Sequence, residues 1–218
     1  MRVHSIFQSI NGEVTASHQG SVCTFLRLQG CNLRCPFCDT KDSQDPNGGK
    51  EMSVEEVKLA IYDLPIKTTN LTITGGEPLL QIKELTEMKS FLVTQFDTTL
   101  ETNGTMDPSS LFFDSVVMDI KPRGVFGSLK NWDSYLKKAL EYATRLDDQD
   151  WVKFPILQEE DLIMAIGMKD IIRRKSTVRF AFSAVAPLTP KQLYDWIMER
   201  KVTDVILNVQ IHKLVGVA

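Results

Sequence analysis

Three of the chain's four cysteines lie in one short stretch, Gly30-Cys31-Asn32-Leu33-Arg34-Cys35-Pro36-Phe37-Cys38-Asp39-Thr40. Cys31, Cys35 and Cys38 follow C-x3-C-x2-C spacing, which lets one loop turn three thiolates toward a common centre. Soft thiolates at close range select an iron–sulfur cluster or zinc. A structural zinc site is closed by four protein ligands. A cubane cluster held by three cysteines instead keeps one iron open to a small molecule. The spacing therefore favours a cluster. Zinc is the alternative if His18, His212 or Cys23 supplies a fourth ligand. Cys23 stands apart in the apolar run Val22-Cys23-Thr24-Phe25-Leu26 and reads as a packed strand residue.

A second candidate stretch is Thr74-Gly75-Gly76-Glu77-Pro78, which follows the apolar run Leu71-Thr72-Ile73. A strand that ends in a glycine pair lets a ligand approach bare backbone. Glu77 adds an acceptor for an ammonium group. Arg27 interrupts an apolar strand pattern and offers a planar fork to a carboxylate. His4 and His18 have no supporting neighbours and read as structural, and Asp147-Asp148 reads as a solvated loop.

The elements that must position these residues follow from periodicity and turn signals. At 218 residues and 43% apolar, the chain fits a single domain with an ample core. A net charge of −3 gives no basic footprint for nucleic acid. No apolar run reaches membrane-spanning length and no secretory pattern opens the chain, so a soluble cytoplasmic protein is expected. In such a reducing compartment, clustered thiols point to metal rather than disulfides. Strands are predicted at 3–9, 21–28, 71–74, 98–101, 116–120, 151–156, 178–182 and 205–207. Helices are predicted at 53–64, 81–95, 132–146, 159–173 and 189–200, the first opened by the capping box Ser53-Val54-Glu55-Glu56. Residues 41–50 read as a flexible polar loop. The crossover around 108–113 holds at most about one or two helical turns.

Strands alternating with helices imply a parallel sheet with right-handed crossovers. The expected fold is α/β, a partial, open parallel β/α barrel of about six strands with a reduced helical layer. Residues 1–20 would form an N-terminal strand and turn, 21–208 the part-barrel and 209–218 a C-terminal tail. In barrel folds the chemistry lies at the carboxyl ends of the strands. Those ends carry the cysteine loop, Thr74-Gly75-Gly76-Glu77, Glu101-Thr102-Asn103, Asp119-Ile120-Lys121 and Ser183.

Together, the cysteine loop and the Gly-Gly-Glu-Pro turn resemble the radical S-adenosylmethionine (SAM) enzymes, whose fold is such a part-barrel. Further blocks narrow the resemblance: Phe7-Gln8-Ser9-Ile10-Asn11-Gly12-Glu13, Phe25 to Cys35, Cys38-Asp39-Thr40 and the tail Gln210-Ile211-His212-Lys213-Leu214-Val215-Gly216-Val217. These are similar to the 7-carboxy-7-deazaguanine synthase family. Glycyl-radical enzyme activases share the cysteine loop but would not be expected to carry the Asn11-Gly12-Glu13 block or this tail. A zinc or electron-transfer module without catalysis is the reading from another class. One departure is Asn11-Gly12-Glu13 in place of the family's Gln-Gly-Glu. Asparagine keeps the amide and is one methylene shorter.

The resemblance implies the chemistry and the roles. A reduced 4Fe-4S cluster splits SAM to a 5′-deoxyadenosyl radical, which takes hydrogen from 6-carboxy-5,6,7,8-tetrahydropterin. Ring contraction and loss of ammonia then give 7-carboxy-7-deazaguanine. Cys31, Cys35 and Cys38 would hold the cluster. Gly75, Gly76 and Glu77 would receive the methionine end of SAM, with Phe37 against adenine. Asp119, Ile120, Lys121 and Ser183 would contribute further to the SAM site. Thr40 would ligate Mg²⁺ through its hydroxyl. Ile10, Asn11, Gly12, Glu13, Arg27 and Thr74 would face the pterin, Arg27 through the substrate carboxylate and Glu13 through the 2-amino edge. His212 and the carboxylate of Ala218 would close the site. A homodimer and an electron donor such as flavodoxin are implied as well.

Overall fold

The computed structural model describes residues 1–109 and 111–217. They divide into two compact units, one formed by 1–102, 111–115 and the tail from 210, the other by 103–109 and 116–209.

The first unit is built on a five-strand sheet. Its strands are β1 (Arg2–Ile10), β2 (Val22–Leu28), β3 (Lys50–Glu51), β4 (Asn70–Gly75) and β5 (Asp97–Thr102). Their order is β3-β1-β2-β4-β5, with β1 antiparallel to both β2 and β3 and the pairs β2–β4 and β4–β5 parallel. Leu26 and Leu28 of β2, Leu71 and Ile73 of β4 and Leu100 of β5 share one face and are fully or almost fully buried. The buried side chains of α1 (Val54–Tyr62), α2 (Ile82–Glu87) and α3 (Lys89–Gln95) add to the same core. The capping box at Ser53 forms as expected, with Ser53 Oγ accepting from the Glu56 amide and Glu56 accepting from the Ser53 amide. The single helix predicted over 81–95 is broken instead. Residues 78–81 form a 3₁₀ turn, and α2 and α3 meet at Met88. Thr86 donates its hydroxyl back to the Ile82 carbonyl at 2.7 Å, a bond that bends helices.

The second unit alternates strand and helix without interruption. β6 (Ser115–Asp119), α4 (Leu129–Ala143), β7 (Trp151–Ile156), α5 (Glu159–Arg173), β8 (Arg179–Ala184), α6 (Pro190–Glu199) and β9 (Ile206–Asn208) follow in turn. The strand order β6-β7-β8-β9 is parallel throughout. β7 and α5 have the predicted bounds. α4 starts three residues earlier than predicted, because Ser128 Oγ accepts from the Asn131 amide and caps it there. Among the described residues, the stretch from Gly104 to Asp114 contains no helix. The tail, part of the first unit, forms a short helix, α7 (Ile211–Val215).

Candidate active site

Strand alternation places one row of polar side chains across the first unit. Arg27 of β2 is in register with Thr74 of β4, and the Thr74 hydroxyl donates to Glu101 of β5 at 2.6 Å. The row one step back holds Phe25, Thr72 and Thr99. Phe7 stacks on Phe25 with centroids 5.1 Å apart, and the Arg27 guanidinium lies 5.0 Å from the Phe7 centroid. This face is polar where the opposite face is leucine and isoleucine, so it is built to meet a polar ligand.

The segment 11–21 covers the back row through buried hydrogen bonds. Thr15 bonds to Thr99 at 2.9 Å. Asn11 is 4% exposed; its amide donates to Ser17 and Ser21 and accepts from Thr72 at 3.0 Å. Its polar groups are engaged inside the protein, and the shorter side chain fits a role in holding the turn. Ile10 ends β1 opposite Val22.

The cysteine loop is anchored by backbone. Gly76 N–H donates to the Leu28 carbonyl and Glu77 N–H to the Gly30 carbonyl at 2.9 Å. A Cβ on Gly76 would sit 2.2 Å from Gly30 O, and one on Gly75, at φ +141°, 2.1 Å from Leu28 O. Both glycines are thus required by the approach of β4 to the root of the loop, before any ligand is considered. Glu77 is fully buried, and its carboxylate accepts from the Leu79 amide and the Thr102 hydroxyl. It caps the 3₁₀ turn.

Residues 41–49 are not the free loop expected. Gly30 and Cys31 donate to the Ser43 and Gln44 carbonyls, and the buried Gln29 amide donates to Asp42 O and Asp45 O. Cys31, Cys35 and Cys38 are half-buried, unpaired by disulfide, and Leu33 N–H points at Cys31 Sγ at 3.4 Å. Three thiols on one backed loop, with an amide already directed at sulfur, fit a cluster. Among the described residues no three His, Cys, Asp or Glu side chains gather tightly enough to cage a single ion. Cys23 lies buried in β2 against Thr72, and burial pushes its thiol up to about 11. His18 bonds to the Ala16 carbonyl and His212 lies against Gly12, so none of the three supplies a fourth zinc ligand. Phe37 is half-buried on the loop.

The turn, the tail and the end of the cysteine loop meet. Ile211 N–H donates to Gly12 O at 3.0 Å, and a Cβ on Gly12 would lie 1.6 Å from His212 Nδ1. Gln210 Nε2 donates to Glu13 at 2.5 Å, and Lys213 Nζ to Asp39 at 2.8 Å. Thr40 donates its hydroxyl to Asp39 at 3.1 Å. Burial opposes ionisation of Asp39, but the hydrogen bond and charge of Lys213 hold its carboxyl well below the usual range. Burial lowers the His212 imidazole, the Glu13 carboxylate opposes that, and the Lys213 and Arg27 charges add to it. Ala218 lies outside the described residues.

The second unit carries its own cluster at strand ends. Asp119 of β6 pairs with Lys121 and, at 3.2 Å, with Lys153 of β7. Burial works against the Asp119 carboxylate, yet the two lysines hold it below its ordinary value. Lys121 is thus shielded and ion-paired rather than solvated. Ile120 is 2% exposed and lines a cavity with Trp132, Phe154 and Met168, so its side chain enters the helix-side core and only its backbone suits a ligand. Ser183 accepts from Asn208 of β9 at 2.7 Å. Gln29, Gln210 and Lys213, which the motif blocks contain without a role, and Lys153 and Asn208 all bond to partners distant in sequence, so no local pattern shows what they hold.

Comparison with known proteins gives the family. The Radical SAM superfamily profile matches residues 26–148, more than half the chain. The chain is a radical SAM protein. It is 33% identical to the 7-carboxy-7-deazaguanine synthase of Clostridium acetobutylicum, over 96% of this chain and 93% of that one. The synthase of Thermoplasma acidophilum is 32% identical over 99% and 97%. The crystal structure of QueE from Escherichia coli superposes with a TM-score of 0.68 at 21% identity, over 96% of this chain and 93% of that one. Within the superfamily, the chain belongs to the 7-carboxy-7-deazaguanine synthases.

Proposed function

We infer that the chain converts 6-carboxy-5,6,7,8-tetrahydropterin to 7-carboxy-7-deazaguanine with loss of ammonia, a carbon–nitrogen lyase reaction in 7-deazapurine biosynthesis. The observation that carries the reading is Arg27. Its guanidinium is half-buried, rests on Phe7 and has no acceptor among the described residues, while Thr74 and Glu101 continue its row. Such a fork suits a planar carboxylate held bidentate.

Cys31, Cys35 and Cys38 would hold the cluster, and bare backbone at Gly75-Gly76 would take the methionine end of SAM. When bound, the cluster and SAM supply a 5′-deoxyadenosyl radical for hydrogen abstraction from the substrate. The chain's own residues bind, orient and exclude water. Phe37 would pack on adenine. Asp119, Lys121, the Ile120 backbone and Ser183 would add to the SAM site. Glu13 would accept from the pterin's amino edge, and Gly12, Ile10 and Thr74 would bound the substrate. His212 would cover it. Thr40 suits Mg²⁺ because its hydroxyl proton is already committed to Asp39, which leaves the oxygen lone pairs for a cation. A flavodoxin-type electron donor, a homodimer and a cytoplasmic location carry over from the family resemblance. No helix among the described residues is long and apolar enough to cross a membrane.

The test is an anaerobic assay of reconstituted protein with SAM, reductant and 6-carboxytetrahydropterin, read by mass spectrometry. The expected result is 7-carboxy-7-deazaguanine from the native protein and almost none from Arg27→Met. Deoxyadenosine formed without any deazapurine product would overturn the assignment.

A further inference from the structure

Asp39 stands between the third cysteine and Thr40, and both its oxygens are engaged. Thr40 Oγ1 donates to Oδ1 at 3.1 Å, and Lys213 Nζ donates to Oδ2 at 2.8 Å. Gln210 Nε2 lies 3.4 Å from the same Oδ2. Lys213 Nζ also donates to Gln210 Oε1 at 2.6 Å, and Gln210 reaches on to Glu13. A continuous run of side chains therefore links Glu13, Gln210, Lys213, Asp39 and Thr40, with the tail at its centre. Two neighbouring oxygen donors stand at the candidate cation site, a carboxylate and a hydroxyl. A hard cation prefers the charged oxygen of the two. Something must keep Asp39 off the ion if Thr40 is to be the ligand.

We propose that Lys213 is a positioning residue for the cation site: its ammonium occupies Asp39, fixes that carboxylate as the acceptor of the Thr40 hydroxyl, and so leaves Thr40 as the ligand. The proposal rests on the reading of Thr40 given above. It gives the tail a second task besides covering the substrate. Docking of Gln210 on Glu13 brings Lys213 to Asp39, so the ligand choice is set only when the tail is seated.

The probe is Mn²⁺, followed by electron paramagnetic resonance in protein carrying its cluster and SAM, without reductant, with and without the pterin. No turnover is needed. In the native protein the pterin is expected to tighten Mn²⁺ binding. Partners behind metal ligands typically change affinity by 10–100-fold. Lys213 and Asp39 side chains are about half exposed, at 50% and 53%, so the low end applies. Lys213→Met is expected to bind Mn²⁺ more tightly without pterin, through the freed Asp39, and to lose about tenfold of the pterin-dependent gain. Lys213→Arg should behave as native, and Asp39→Asn in the Lys213→Met background should remove the tighter pterin-free binding. SAM affinity and iron content should not change. Native Mn²⁺ behaviour in Lys213→Met, or an equal loss of SAM and Mn²⁺ binding, overturns the proposal. Thr40→Val separates the two layers. If it leaves Mn²⁺ binding intact, the Thr40 reading fails and the proposal falls with it; if it abolishes binding while Lys213→Met is native, only the proposal fails. Should Lys213→Met lose its cluster, Lys213→Gln is measured in the same way against the same criteria.

Discussion

Replacing Gly12 by Ala tests whether the docked tail is part of the substrate site. The new methyl would sit 1.6 Å from His212 Nδ1 and 2.6 Å from Cγ and Cε1. Ordinary contact needs about 3.5 Å, so the ring has to retreat by about 2 Å. A forced shift of this kind costs about 1–3 kcal/mol. The tail has little to resist with. The Ile211–Gly12 bond contributes about 0.5–1.5 kcal/mol net, and the half-exposed Lys213–Asp39 pair at most about 1 kcal/mol. The imidazole or the whole tail therefore moves, while the leucine-rich face of the sheet is untouched. If His212 covers the pterin, affinity should fall roughly five- to 150-fold, the equivalent of that energy. Melting temperature should fall by about 2–4 °C for each kcal/mol of docking energy lost before global unfolding, and by nothing if the tail has already released. The assay is anaerobic pterin titration with SAM and no reductant, paired with trypsin cleavage at Lys213 as a reporter of undocking. The Gly12→Ala/His212→Ala double variant should bind no worse than His212→Ala alone, because the clash has gone. Native pterin affinity in Gly12→Ala, with Lys213 still protected, would refute the reasoning.

Cys31→Ala, Cys35→Ala and Cys38→Ala should each purify without the iron–sulfur absorption, whereas Cys23→Ala should keep it; a colourless Cys23→Ala protein would show the assignment to be wrong. Arg27→Lys keeps the charge and loses the fork, which should cost on the order of 1.5–3 kcal/mol in pterin binding and leave SAM binding almost unchanged. Equal weakening of both ligands would make Arg27 a general structural residue. His212 is held below its ordinary pKa mainly by burial, so the docked tail carries the neutral ring. Its contribution is present above the unfolded value of about 6.5 and is lost as pH falls below that toward the folded value. Trypsin cleavage at Lys213, measured relative to an unstructured peptide of the same sequence, should therefore speed up as pH falls below about 6.5 in the native protein, and His212→Gln should flatten that response.

What was legible in the sequence is what local chemistry decides. β7 and α5 were placed correctly because Trp151–Ile156 is a compact apolar run and the helix after it opens with three acidic residues. The cysteine loop was legible because its ligands are close neighbours. The break at Met88 was not, since it depends on a threonine hydroxyl turning onto its own helix. The loop 41–49 looked free because the residues that pin it, Gln29 and the Gly30-Cys31 backbone, belong to another segment. Asn11 and Glu77 make buried hydrogen bonds with Thr72 and Thr102, partners that no local pattern in the sequence announces. The register that unites Arg27, Thr74 and Glu101 is a property of three strands and has no signature in any one of them.

The Gln210–Glu13 bond joins residues 197 positions apart. A contact of such separation cannot guide early folding, because the closure entropy must be met before the contact gives anything back. The expected order is strands first, with the tail closing onto a finished surface. The same order holds in reverse at equilibrium. The Ile211 and Val217 amides, held by single bonds to Gly12 and His212, should exchange with solvent long before those of β4 or β5. Local opening of this kind costs far less than global unfolding, so on the proposed function substrate would enter and product leave by release of one short segment while the cluster loop and the sheet remain whole.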